Sequence, residues 1–380
     1  MYKPSLKNNW SLIGLCILSM ILFTIVHYSK KEVKQDFYEE KVLASKNNAE
    51  AMKVLKEEVL SLGYTIDRLN DPQETGLIGA SVSSITTSRG ALSERLTTLN
   101  PNYAAIMIDL LKRSDLKEGD YVAVGLTGAN PGANLALYIA METLKLKPII
   151  IVSAGSSTYG ANRELFTWLD METVLFENKM ISFKSKFATL GGTNDIGRGL
   201  PPEGRENLMR AIIRNESIPI SGENLKENVE LRYESYINEL PDGEHYSAFV
   251  NLGAGVGNVG SLVNAKIIQT GINRKLGEKE FKEPGVMMLF SKMNMPIIHI
   301  YNVMKLAKDH KLDTNSMTVY DHGQDDKKYG EGPIFSKQIN NVFVAVVCWL
   351  VLIFAIIAVI IFDRHDRHFM SNIVDPEEDL

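Results

Sequence analysis

Apolar residues in this chain form two long terminal runs and, between them, short blocks that alternate with helical stripes. Residues 12–28 (LIGLCILSMILFTIVHY) form an uncharged, mainly apolar run that follows Lys3 and Lys7 and precedes any acidic residue. Their length is at the lower limit for a membrane-spanning helix. No small-x-small cleavage site follows the core, so the run reads as an uncleaved signal anchor. Residues 342–362 (VFVAVVCWLVLIFAIIAVIIF) carry no charge between Asn341 and Asp363, which predicts a second spanning helix. Within the strongly charged stretch 30–62, Val33, Phe37, Ala44, Ala51, Leu55 and Leu62 recur at helical spacing. They predict a stalk helix with a narrow apolar seam, packing on the domain or on a partner.

The middle of the chain changes period repeatedly. Residues 121–126 (YVAVGL) and 148–152 (PIIIV) read as strands buried on both faces, as in a parallel sheet. A helix joins them, with Asn130 at the N-cap and Pro131 at its first position. Further helices are predicted at 102–113, 161–172, 205–214 and 224–240, the last with Leu225, Val229, Tyr233 and Ile237 as its stripe. Strands are predicted at 184–190, 245–252 and 285–290, and a strand or helix start followed by a helix over 296–310. This alternation predicts an α/β fold, a mostly parallel sheet with flanking helices in Rossmann-like layers. The predicted layout is an N-terminal transmembrane anchor (1–29), a stalk helix and linker (30–70), the α/β domain (71–320), a polar juxtamembrane linker (321–341), a transmembrane helix (342–362) and a polar tail (363–380).

Composition removes several classes of function. The 380 residues carry a formal net charge of −5 and no basic stripe interleaved with aromatics, so no nucleic-acid partner is expected. Cys16 and Cys348 both fall in the terminal apolar runs, which excludes a disulfide scaffold or a cysteine zinc site from the domain. Lysine and arginine flank the two spans almost evenly; the short N-terminal tail favours cytoplasmic termini and an outward-facing domain.

Open α/β sheets place ligands beyond the carboxyl ends of their strands, so the loops there hold the candidate chemistry. The first, TGANPGAN at 127–134, brings Thr127, Gly128, Asn130 and Asn134 to a helix N-terminus suited to an anion. The second, SAGSSTYG at 153–160, offers Ser153, Ser156 and Ser157. They lie in no G-x-S-x-G elbow, and no histidine occurs between His27 and His245 to activate them. Asn162 and Arg163 follow, with Arg163 able to clamp a carboxylate and Glu164 and Asp170 able to act as acid or base. The alternative is an ordinary ion pair at a helix start. The glycine-dense loop 190–204 holds Asp195 and Arg198, with Arg205 just beyond, and suits an acidic ligand. Gly255 opens GVGNVG, which matches G-x-G-x-x-G, but Asn273 and Arg274 stand where a ribose-binding acid belongs. It reads as a close loop at the same edge, and no cofactor is expected. Asp321, His322, Asp325 and Asp326 cluster in the polar linker, and no metal site is predicted.

Two resemblances follow from these residues. The strand ending in Thr127 and Gly128, the small-residue loop, the helix, and the strand ending in Ser153-Ala-Gly155 resemble the sugar-isomerase (SIS) phosphate-binding motif, with Thr127-Gly-Ala-Asn130 in place of its usual Ser-Gly-Asn-Ser loop. Over nearly its whole length the chain is similar to the poly-γ-glutamate system proteins. The likeness is carried by GANPGAN at 128–134, VSAGSSTYGAN at 152–162, TWLD at 167–170, DIGRGL at 195–200 with Gly204-Arg205, and NLGAG at 251–255. It implies a two-pass protein of the bacterial cell membrane, partnered with components that make and export capsular poly-γ-glutamate, and it implies no assigned reaction. The first expectation is an accessory component that binds the polyanionic polymer or its glutamyl end. The second is an amide-bond hydrolase or transferase using Ser153, Ser156 or Ser157, or Glu164 and Asp170. The third is an SIS-like binder of a phosphorylated metabolite.

Overall fold

A computed structural model describes residues 8–276, 281–312 and 329–371, with side chains to Phe362 in the last segment. The chain divides into two compact units, Met1–Lys34 with Ser336–Leu380, and Gln35–Phe335.

The terminal unit pairs helix Asn9–Tyr28 with helix Val342–Ser371, and strand Lys31–Lys34 runs antiparallel to Ser336–Ile339. Large apolar side chains such as Phe23, Trp349 and Phe354 point outward along both helices. That much exposed apolar surface is unfavourable in water. Both helices are long and apolar enough to cross a membrane, consistent with a two-pass membrane protein.

The other unit is an α/β domain built on a seven-stranded sheet. Its strands are β1 (Tyr121–Thr127), β2 (Lys147–Ser153), β3 (Phe187–Thr189), β4 (Ile218–Pro219), β5 (Tyr246–Leu252), β6 (Gly271–Asn273) and β7 (Ile297–Ile300). They lie in the order β6-β7-β5-β1-β2-β3-β4, with every neighbouring pair parallel except β6 and β7. The central strands are apolar through most of their length because successive side chains enter different cores. Val122, Val124, Ile150, Val152 and Val250 enter one; Ala123, Ile149, Ile151 and Phe249 enter the other.

The first core is covered by α1 (Tyr38–Ser61), α2 (Tyr103–Arg113), α3 (Pro131–Thr143), α4 (Trp168–Glu177) and α5 (Pro202–Arg214). The second is covered by α6 (Leu225–Glu239) and α7 (Val286–Lys292). The charged α1 packs on the domain: Ala44, Ala51, Met52, Leu55 and Val59 are buried, and α1 lies against α2 and α3. Burying this seam also buries Lys41, whose Nζ donates to Asp109 Oδ1 at 2.7 Å. A second buried carboxylate, Glu172 on α4, accepts from the Tyr138 hydroxyl and from Ser185 N and Oγ, tying α3 and α4 to the 181–185 turn. Burial pushes that carboxyl up from its ordinary range.

The structure corrects three expectations. The helix expected at 161–172 starts at Trp168, because Asn162–Arg163 and Phe166–Thr167 form a small antiparallel hairpin. The Thr167 and Asp170 capping box then sets the helix start. The strand expected at 285–290 is α7, in which Gly285 serves as N-cap and Met287, Met288 and Leu289 are good helix formers. On α6 the buried face is Asn228, Val229, Arg232 and Tyr236, while Ile237 of the expected stripe is exposed. The polar cluster at 321–326 lies outside the described residues.

The Lys41–Asp109 pair gives a prediction. Burial alone would raise Asp109, but hydrogen bonds from His310, Lys41 and Arg113 and the Lys41 charge outweigh it and hold the carboxyl well below the usual range. Its contribution is complete above the ordinary aspartate value of 3.8 and is lost as the pH falls through the depressed one. Asp109→Asn leaves Lys41 buried without a counter-charge and should cost about 3–5 kcal/mol at neutral pH. Denaturant unfolding of the full chain in detergent should also show a flatter acid limb for the variant than for the parent.

Candidate functional site

The sheet order fixes where a ligand fits. From β1 the chain winds outward through β2, β3 and β4, then returns to the opposite side of β1 as β5. Connections leaving β1 and β5 therefore diverge, and a crevice opens beyond their carboxyl ends. A cavity of about 270 Å³ occupies this place. Four strand-end loops line it: Thr127 and Ala129 after β1, Ser153 and Gly155 after β2, Gly192, Thr193 and Asp195 after β3, and Ala254, Gly255 and Val256 after β5. Thr87, Ser88 and Leu262 complete the lining. Thr87 and Ser88 are carried there by the short strand Thr86–Ser88, which pairs with Ser156–Ser157.

Beneath the cavity lies a closed ring of charge and hydroxyl groups. Arg232 reaches in from α6 with its side chain fully buried, and its Nε donates to Asp195 Oδ2 at 2.7 Å. Its Nη2 donates to the Ser153 and Thr189 hydroxyls, both at 2.7 Å. Those hydroxyls in turn donate to Asp195 Oδ1, at 2.8 and 2.9 Å. Arg232 Nη1 also donates to Asn258 Oδ1 at 3.2 Å. Each carboxylate oxygen is thus occupied, as burial of a charge requires.

The ring holds a strained loop. Asn194 and Asp195 are consecutive left-handed residues, at φ 59° and 63°, a conformation that asparagine and aspartate tolerate better than most. One turn apart on α6, Asn228 donates to the Asn194 carbonyl and Arg232 to the Asp195 carboxylate, which fixes both residues. The glycine at 257 is explained here. A Cβ on Gly257 would stand 2.5 Å from Asp195 Oδ2 and 2.6 Å from Arg232 Nε, so the ion pair leaves no room for a side chain. That glycine of the GVGNVG string serves internal packing.

Of the residues singled out in the sequence, Thr127, Ser153, Asp195 and Gly255 meet at this cavity. The others surround it as framework. Gly128 accepts from Ser156 Oγ at 2.8 Å, and Asn134 Nδ2 donates to the Thr127 carbonyl at 2.8 Å. Asn130 caps α3, and its side chain accepts from the Thr98 hydroxyl at 2.7 Å, so this helix start is covered by protein. Ser157 Oγ accepts from Arg95 at 2.6 Å. Asn162 donates to the Ala80 carbonyl and Thr86 hydroxyl, and Arg163 to the carbonyls of Gly76 and Ile78. Glu164 accepts from Ser84, and Asp170 from Thr167, Arg214 and Asn215. Arg205 donates to the Leu200 carbonyl, while Arg198 is exposed.

No described histidine lines the cavity. His299 is buried on β7 between Asn251 and the Ala265 carbonyl, and burial pushes its pKa down. Among the described residues no group of three metal-ligating side chains occurs. Sequence reasoning missed Arg232, Thr189 and Asn258. The available signal was Asn228 and Arg232 at helical spacing with Val229 and Tyr236, polar residues set in the buried face. Comparison with known proteins adds no relative: no family model matches the chain, and no curated protein or solved structure does.

Breaking the ion pair from one side should be costly. Arg232→Met leaves Asp195 buried and unpaired, at about 3–5 kcal/mol. Asp195→Asn keeps the left-handed backbone and the two hydroxyl contacts, so the Arg232→Met/Asp195→Asn double variant should recover part of that loss. Thermal unfolding of the four proteins gives the coupling; strict additivity would contradict the ring.

Proposed function

We propose that this protein is a membrane-anchored accessory component of poly-γ-glutamate synthesis or export, binding the polycarboxylate or its glutamyl end at the strand-end cavity. The observation that carries this reading is the convergence of four loops on one cavity lined by serines, threonines and small residues. Most sequence strings that resemble the poly-γ-glutamate system proteins are the strings that build its walls: GANPGAN, VSAGSSTYGAN, DIGRGL and NLGAG. Two exposed arginines adjoin the mouth. Arg89 follows Ser88, and the backbone of Arg198 pairs with Thr193. Cations at a rim raise the local concentration of a polyanion.

Binding is favoured over hydrolysis by the state of the candidate nucleophiles. Ser156, Ser157, Glu164 and Asp170 hold framework contacts away from the lining. Ser153 is at the floor, but its hydroxyl is committed to Asp195 and Arg232. A general base free to take a proton is the usual requirement for acyl transfer, and the one carboxylate beside Ser153, Asp195, is held by Arg232 and Thr189. We place the protein in the bacterial cell membrane with both termini cytoplasmic and the α/β domain outside.

Full-length protein in detergent should bind labelled poly-γ-glutamate at low salt without shortening it. Arg198→Glu and Arg89→Glu, both at exposed positions, should each weaken binding about tenfold. Chain shortening would favour the hydrolase, and tight binding of a sugar phosphate with no polymer binding would overturn the reading. Protease added to cells stripped of their wall should cleave within 35–335; protection of that segment would reverse the orientation.

A further inference from the structure

We infer that the cavity holds the carboxyl end of a glutamyl chain, one terminal unit with its two free carboxylates, and not an internal stretch of polymer. This rests on the reading of the cavity as a poly-γ-glutamate site.

Size and shape come first. A volume of about 270 Å³ falls just short of the ~300–1,000 Å³ of pockets that enclose drug-sized ligands. It suits a single small unit. The cavity is also closed at its floor. Thr127, Ser153, Gly155 and Asp195 are buried and close its floor at the strand ends, whereas Ser88, Thr193 and Leu262 are exposed at the mouth. An internal unit needs an exit for the chain on both sides. A chain end needs only one.

The unused hydrogen-bonding groups say what kind of end. Among the described residues, the backbone N–H groups of Ala254 and Gly255 have no acceptor, and the Thr127 hydroxyl accepts from Ala129 N but has no acceptor for its own proton. Behind the lining, Asn258 is fully buried against Gly125 and leaves its Nδ2 unpaired, 3.8 Å from where a Cβ on Gly255 would stand. All four are donors. Thr127 and Asn258 are buried and Ala254 and Gly255 half-buried; donors without partners in such places are satisfied by an acceptor-rich group such as a carboxylate.

An ammonium finds no such welcome. The one carboxylate in the lining is Asp195, with Oδ1 taken by Ser153 and Thr189 and Oδ2 by Arg232. Oδ2 also packs against the Gly257 backbone. In a γ-linked chain the amino-terminal unit carries an ammonium beside its carboxylate, whereas the carboxyl-terminal unit carries two carboxylates and no amine. The donor set matches the second.

The test is competition against labelled poly-γ-glutamate on the full-length protein, using three γ-linked glutamyl trimers: unmodified, N-acetylated, and amidated at both carboxyls of the last unit. The unmodified and N-acetylated trimers should compete within about twofold of each other, and the diamide about tenfold more weakly. Polymers of different lengths should bind equally per chain end and not per unit mass. Equal competition by the diamide, or affinity that follows mass, would overturn the end-binding inference and leave polymer binding standing. Failure of polymer and of every trimer to bind would overturn both.

Discussion

The candidate site depends on one buried ion pair. Arg232 and Asp195 lie at the bottom of the strand-end cavity, and their 2.7 Å contact draws together pieces of chain far apart in sequence. The arginine comes from α6, the aspartate from the loop after β3, the hydroxyls from the ends of β2 and β3, and the amide of Asn258 from the loop after β5. Withdrawing two charges from water is expensive, and the cost is met only because hydroxyls and amides occupy nearly every remaining valence. A hydrophobic floor of the same volume would serve stability as well. What the pair adds is position: it holds two consecutive left-handed residues in place and forces glycine at 257.

The rest of the domain gives this pair its place. Because the strand order reverses beside β1, the loops after β1 and β5 part and leave room between them. Alternate residues of the same strands feed separate cores, one under α1 to α5 and one under α6 and α7. The sheet is thereby covered on both faces, and α6 is held where Asn228 and Arg232 reach the β3 loop. Lys41–Asp109 serves the first core in a similar way, tying the charged α1 to α2.

Much of this was legible in the chain because the central strands are long apolar runs with strong punctuation. Asn130 and Pro131 mark the start of α3, and the alternation of strands and helices alone puts the loops at 127–134, 153–160 and 190–204 and the GVGNVG string at the sheet edge. Three things were hidden. The 162–167 hairpin depends on Arg163 reaching the carbonyls of Gly76 and Ile78, a contact distant in sequence. The strand at 271–273 has only three residues and is set by its antiparallel pairing with β7. Arg232 was hidden most completely, since an arginine in a helix rich in Glu, Lys and Asn reads as solvated unless its partner is known. Several attractive candidates, Arg163, Glu164 and Asp170 among them, hold the loops in shape.

The most direct measurement is hydrogen exchange on the full-length protein in detergent, with and without a γ-linked glutamyl trimer. The account predicts slowed exchange in the segments that line the cavity, 127–134, 190–198 and 252–257, with α1 and α2 unchanged. Unaltered exchange in all three segments under conditions where the trimer is bound, or protection confined to other parts of the chain, would contradict it.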